Sequence, residues 1–238
     1  MEDRSSPQDP SATDGAAMPD RVLPPVVHAD EALLVFDKPA GLLSVPGRGP
    51  EKQDCLSARA AARWPDALVV HRLDMATSGL IAMARGERAQ SLLSQAFQRR
   101  KVGKRYVAVV AGRLAPPGTD DGWGRIDDPL IIDWLHRPRS KVDRLIGKPS
   151  LTRWRVLGDE TLPNGLAGTR LELEPLTGRS HQLRVHLMTL GHPIVGDPLY
   201  APEAVARAAD RLMLHACALA LPHPVHGETL NFFSPPPF

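Results

Sequence analysis

The chain has 238 residues, 42% hydrophobic and 24% charged, which suits one large globular domain and excludes a fibrous or wholly disordered chain. Its two cysteines, Cys55 and Cys217, lie far apart with no CxxC spacing, which argues against a disulfide framework or a structural zinc site. The net charge of +2 is uneven: Glu2, Asp3, Asp9, Asp14 and Asp20 face only Arg4 at the start, so the remaining chain is more basic than the total shows.

Residues 1–25 mix Ser, Pro, Asp, Ala and Gly with little apolar periodicity and read as a disordered acidic tail. Order is expected from Val26, with residues 26–238 forming one domain. Ala32 to Phe36 reads as a buried strand, Lys38 to Gly41 as a turn, and Leu42 to Val45 as a second strand. A helix follows from Asp54, its N-cap, to Trp64. Ala67 to Val70 leads into a polar segment, His71 to Ser78, and Leu80 to Ala84 resumes as a strand. Glu87 to Arg100 makes an amphipathic helix with Leu92, Leu93, Ala96 and Phe97 on one face.

Tyr106 to Val110 is a strand, and Pro116 begins a long irregular stretch. Leu171 to Glu174 alternates as a half-buried strand. Ser180 caps a helix with Leu183, Leu187 and Leu190 on one face, ended by Gly191. Strands at Leu212 to Leu219 and Thr229 to Phe233 complete the chain. Strands outnumber helices and several lack helical crossovers, so the expected fold class is α+β, or mixed α/β, around a largely antiparallel sheet. No apolar run spans a membrane and no signal peptide opens the chain, which leads to an expected cytoplasmic location with no membrane partner.

Four polar segments carry the candidate chemistry. HRLDMATSGL at 71–80 lies between two apolar strands, where a loop can hold an active site. Read by itself, Asp74 serves equally as a partner for Arg72 or as a turn cap, with Thr77 and Ser78 stabilising the turn. LTGRSHQLRVHL at 176–187 gathers polar groups where a loop enters a helix, a natural place for an anionic partner. His181 and His186 are five apart, without HExxH spacing, and read as cover for a helix surface. Arg179 reads as functional. GKRYVAVVAG at 103–112 places Tyr106 on a strand, where a tyrosine is commonly core. The cations Arg137, Arg139, Lys141, Arg144 and Lys148 serve equally to grip phosphate or to solvate a loop. GxxxxGK[ST], GxGxxG after a strand, and GxSxG are all absent from the sequence, so no nucleotide or flavin cofactor is expected.

Together these segments resemble the RluA family of RNA pseudouridine synthases. KPAGL at 38–42 is similar to its first motif, 71–80 to its catalytic motif, 103–112 to its tyrosine motif and 176–187 to its arginine motif, in the expected order. GHPIVGDPLY at 191–200 extends the likeness, and RPRSKV at 137–142 with GKP at 147–149 favours the compact branch without an S4 domain. The resemblance implies the pseudouridine synthase fold, a single catalytic domain with flanking helices. It implies conversion of uridine to pseudouridine in 23S ribosomal RNA and in tRNA stem-loops, by a monomer needing no cofactor or metal. It makes Asp74, Tyr106 and Arg179 catalytic, with Arg179 as the guanidinium that holds Asp74 ionised. His71, Arg72, Arg137, Arg139 and Lys141 are the residues expected against RNA, with Arg72 either filling the stack left by a flipped base or gripping phosphate. Two other classes compete: a hydrolase using Asp74 with His71 or His181, and an RNA-binding protein without activity.

Overall fold

The computed structural model describes residues 22–162 and 164–238. In chain order its elements are β1 (Val26–Ala29), β2 (Leu33–Lys38), α1 (Leu56–Arg63), β3 (Ala67–Val69), β4 (Ser78–Arg85), α2 (Gly86–Gln98) and β5 (Gly103–Ala111). Next come β6 (Gly124–Ile126), β7 (Leu130–Ile132), β8 (Ser140–Val142), β9 (Thr152–Thr161) and β10 (Ala167–Pro175). The chain closes with α3 (Gln182–Thr189), α4 (Glu203–Ala206), β11 (Leu214–Pro222) and β12 (Thr229–Phe233). Ten strands form one sheet in the order β1-β2-β4-β11-β5-β10-β9-β6, with β12 on β11 and β3 on β4. Every pairing is antiparallel except β11 with β4. The architecture is therefore the expected α+β fold.

Alternation along β2 and β4 sorts side chains to the two faces of the sheet. Leu34, Phe36, Ile81 and Met83 pack with Leu56 and Ala60 of α1. Leu33, Val35, Leu80, Ala82 and Ala84 pack with Ala89, Leu93 and Ala96 of α2. A third cluster joins Ala108, Leu171 and Leu173 to Leu183 and Leu187 of α3. Each fully buried large side chain here contributes roughly 1.5–3 kcal/mol, so both ends of the sheet are braced. Gly79 (φ 110°) is required where parallel β4 and β11 meet, since a Cβ there would collide with the backbone of Ala216.

Several expectations need correcting. Residues 22–25 belong with the body: Pro24 is buried, and Pro25 accepts a 2.9 Å bond from the Asp37 amide. The rest of the expected tail lies outside the described residues. Leu42 to Val45 is no strand, contributing only a bridge from Leu43 to Cys55. Cys55, not Asp54, caps α1, its sulfur accepting from the Ala58 amide. Asp54 instead holds Arg59 through paired bonds of 2.9 and 2.7 Å. The irregular stretch after Pro116 contains β6 to β9. Among these, β9 is long and alternates Thr152 and Trp154 inward against Arg153 and Arg155 outward, a pattern readable in the sequence.

Candidate active site

Asp74 stands in the loop between β3 and β4, and that loop is fixed from both sides. Leu73 exchanges two bonds with the Ser44 hydroxyl, at 2.7 and 3.1 Å. The Met75 carbonyl accepts from the Gly41 amide at 2.8 Å and from Lys38 Nζ at 3.2 Å. Lys38 is fully buried, and its other ammonium protons go to the carbonyls of Pro39 and Leu42 at 2.9 and 2.8 Å. Farther along, Ser78 bonds His215 at 2.8 Å and accepts from Arg211. The turn of the first motif thus clamps the catalytic-motif loop, mostly through backbone atoms.

Burial pushes the Lys38 pKa down to about 7, with Asp74 opposing and Arg211 reinforcing the shift. Between about pH 7 and about pH 10 the unfolded chain therefore binds a proton at this lysine that the folded chain does not, and stability gains from rising pH. Unfolding in urea across that range should show the wild type gaining on Lys38→Met as pH rises. Parallel pH profiles for the two proteins would show that Lys38 keeps its ordinary affinity for the proton.

The Asp74 carboxylate is 30% exposed, with Oδ2 at 3.6 Å from Arg184 and 3.8 Å from His181 Nε2. These distances carry charge attraction but are too long for hydrogen bonds, so the carboxylate lone pairs stay open. Arg184 lies on α3 and is almost wholly buried. Its Nε and one terminal nitrogen bind Asp197 in a fork, both at 2.7 Å, leaving another nitrogen toward Asp74. Burial opposes the guanidinium charge, but Asp197, and behind it Asp74, outweigh burial and raise its pKa. Asp197 is fully buried and also accepts from the amides of Leu199 and Tyr200.

His181 adopts a left-handed backbone (φ 54°) at the entrance to α3, an uncommon state for a residue with a side chain. The Tyr200 oxygen accepts from the Ser140 amide at 2.7 Å and lies 2.7 Å from His181 Nδ1. The other ring nitrogen, Nε2, faces Asp74. Burial lowers the His181 pKa against the pull of Asp74, consistent with a neutral ring. Tyr106 stands on β5 beside this cluster, packed against both neighbouring cores. Burial first, and the Asp74 charge second, raise its pKa, so it remains a phenol at neutral pH.

The structure brings Asp74 and Tyr106 together but redistributes other expected roles. Arg179 is exposed, its Nε bonded to the Pro149 carbonyl at 3.2 Å. It lines a depression of about 420 Å³ with Ile132, Trp134, Ile146 and Lys148, whose lining does not include Asp74. The pairing expected of Arg179 is made by Arg184, five residues on in the same motif. The physical cause is that α3 is buried almost all round rather than along one face. Gln182 bonds Thr177, Leu151 and Thr152, while His186 lies between Thr152, Asp128 and Ser150 at 2.9–3.0 Å. With every polar group partnered, the helix turns Arg184 inward, and neither histidine covers a surface.

His71 is tied into the fold on the far side of its loop. Its Nε2 accepts from the Ala82 amide at 2.9 Å, and its ring stacks on Phe97 at 4.5 Å. Burial, and secondarily Lys104, lower its pKa to about 3, so it is a neutral acceptor bracing the loop. It cannot pair with Asp74 in a hydrolytic dyad while so engaged. Arg72 is exposed beside Asp74. Arg137, Arg139 and Lys141 are exposed on the β7–β8 hairpin, with Lys141 3.9 Å from Asp133 and Arg137 over the Trp134 ring at 3.2 Å. Among the described residues, one group of side chains has metal-ligand spacing, Glu31 with His223 and His226, and it excludes Asp74.

Residues 32–189 match the family model described as RNA pseudouridylate synthase. The chain belongs to this family. It is an RNA pseudouridine synthase, an isomerase. It is 44% identical over 213 residues to the dual-specificity RNA pseudouridine synthase RluA of Escherichia coli (strain K12), covering 90% of this chain and 93% of that protein. It is 47% identical over 208 residues to the RluA protein of Yersinia pestis, covering 87% and 96%. Human RNA pseudouridylate synthase domain containing 1 has a similar fold, with a TM-score of 0.74 at 30% identity over 92% of this chain and 85% of that one. Among the described residues, no helix of the synthase is long and apolar enough to cross a membrane.

Proposed function

We propose that this synthase converts uridine to pseudouridine in hairpins of both 23S ribosomal RNA and tRNA, with Asp74 as the catalytic carboxylate. The observation that carries the role of Asp74 is its setting. Two cationic or N–H groups approach it at 3.6 and 3.8 Å, while its lone pairs remain uncommitted. The reaction breaks the N1–C1′ bond, turns the uracil, and rejoins C1′ to C5. The proton lost from C5 balances the one gained at N1, so no cofactor is consumed. Asp74 acts either as nucleophile at the sugar or as the base that begins an elimination. Arg184 faces and aligns it, the place first given to Arg179. The Tyr106 ring packs against the uracil, and its hydroxyl helps carry the proton leaving C5.

A stacked uridine cannot reach Asp74, so the nucleotide is flipped out and Arg72 occupies the space it leaves. The β7–β8 hairpin grips the RNA through Arg137, Arg139 and Lys141. Trp134 and Leu135 beside them are 67% and 88% exposed, as suits stacking on splayed bases. Arg179 lines the depression under that hairpin and contacts RNA rather than Asp74. All these groups come from one chain, and the synthase acts as a monomer.

A single domain of this size covers a hairpin loop and its adjoining stem, so isolated stem-loops should suffice as substrates. Pseudouridine formed in isolated anticodon and ribosomal hairpins, beside their parent RNAs at one salt concentration, checks this. Reaction of both parents but of neither hairpin would refute it.

A further inference from the structure

Among the described residues, Lys104 is a recessed cation near the site with no counter-charge. Lys104, near the start of β5, is half-buried and two residues before Tyr106. Among the described residues its ammonium has neither a carboxylate partner nor a hydrogen-bond acceptor. Arg105, one residue on, is matched by Glu172 at 3.0 Å and Glu174 at 4.0 Å. Arg153 and Arg155 also bind these two glutamates. The carboxylates of β10 are thus committed to arginines, and Lys104 is left out.

Two neighbours locate the ammonium. It is close enough to His71 to disfavour that ring's protonation, and His71 begins the loop carrying Asp74. It also faces Gly178, where an added methyl would lie 3.9 Å from Nζ, and Gly178 precedes the turn carrying His181. Lys104 therefore stands between the stems of the two loops that meet at Asp74. Glycine at 178 leaves the ammonium uncovered on that side. Burial pushes its pKa down. An unpaired, partly desolvated cation costs folding free energy unless an anion arrives to offset it.

We propose that Lys104 binds a backbone phosphate adjoining the uridine that enters beside Asp74 and Tyr106, and so seats the flipped nucleotide. This rests on the synthase reading of the site. RNA brings one anion per nucleotide, and rotating a nucleotide into the cleft carries its flanking phosphates toward the loop stems. Arg72 and the hairpin cations are exposed and can hold any phosphate that passes. Lys104 is recessed and reaches only one that enters with the target.

The test uses a hairpin that the wild type converts, with its target uridine located by carbodiimide labelling. Two further hairpins carry a neutral methylphosphonate, one on the 5′ and one on the 3′ side of that uridine. Lys104→Met should weaken binding about tenfold, the scale of one charge-assisted hydrogen bond, while Lys104→Arg keeps most of the affinity. One methylphosphonate should weaken the wild type by a similar factor and leave Lys104→Met unchanged. The slope of log affinity against log salt should fall by about 0.7 in Lys104→Met. Losses that simply add for both neutral hairpins would overturn the proposal. Wild-type binding indifferent to either methylphosphonate would overturn it too, whether or not the variants fold. Conversion by the wild type, scored in the same samples, separately checks the synthase reading.

Discussion

Asp74→Asn is expected to abolish pseudouridine formation, by at least ~10³-fold in a single turnover, with RNA affinity within a few-fold of wild type. The amide keeps the size of the carboxylate but can act neither as nucleophile nor as base. Folding should survive because the loop is held by other atoms: the Ser44 hydroxyl on Leu73, and Gly41 and Lys38 on the Met75 carbonyl. The Asp74 side chain itself accepts no short bond from Arg184 or His181, so its amide leaves neither with a broken one. Appreciable turnover by the purified variant would remove Asp74 from the chemistry. A collapse in affinity would show that its charge organises RNA binding instead.

Arg184→Met should cost both activity and stability, and the two losses can be separated. Removing the guanidinium leaves Asp197, which has no exposed surface, without its fork, a change that typically costs ~3–5 kcal/mol. Adding Asp197→Asn removes that buried charge, so the double variant should recover much of the melting temperature but not the turnover. Arg184→Lys should recover only part of the rate, since an ammonium cannot bind Asp197 in a fork and still face Asp74. Arg179→Met, by contrast, should leave the single-turnover rate near wild type, because its guanidinium binds the Pro149 carbonyl. If Arg179→Met slowed the chemical step as severely as Arg184→Met, the pairing drawn from the structure would be wrong.

The comparison of these two arginines shows what could be read from the chain. The strands at Leu33–Lys38, Ser78–Arg85 and Ala167–Pro175 were legible because burial follows a period of two or an unbroken apolar run. The helix at Gly86–Gln98 was legible because one face is apolar. Helix Gln182–Thr189 misled because its polar residues are satisfied inside, by partners 13 to 58 residues away for Arg184 and His186. Such pairings have no local period. Asp197 and Tyr200 sat within GHPIVGDPLY, already part of the resemblance, yet only tertiary contact shows that they orient Arg184 and His181. Lys38 was placed in a turn motif, and two of its carbonyl partners are local, but the third, Met75, lies 37 residues later. His71 shows the same limit: three residues from Asp74 in sequence, it faces Phe97 and the β4 backbone in space.

The central claim, that Asp74 drives an isomerisation of uridine, is tested most directly by one assay on a stem-loop RNA. The RNA is incubated with wild type or Asp74→Asn and then read by intact mass and by carbodiimide labelling. The wild type should leave length and mass unchanged while one uridine becomes stably labelled, and Asp74→Asn should leave it unlabelled. Cleavage of the RNA, a change in its mass, or equal labelling by both proteins would contradict the claim.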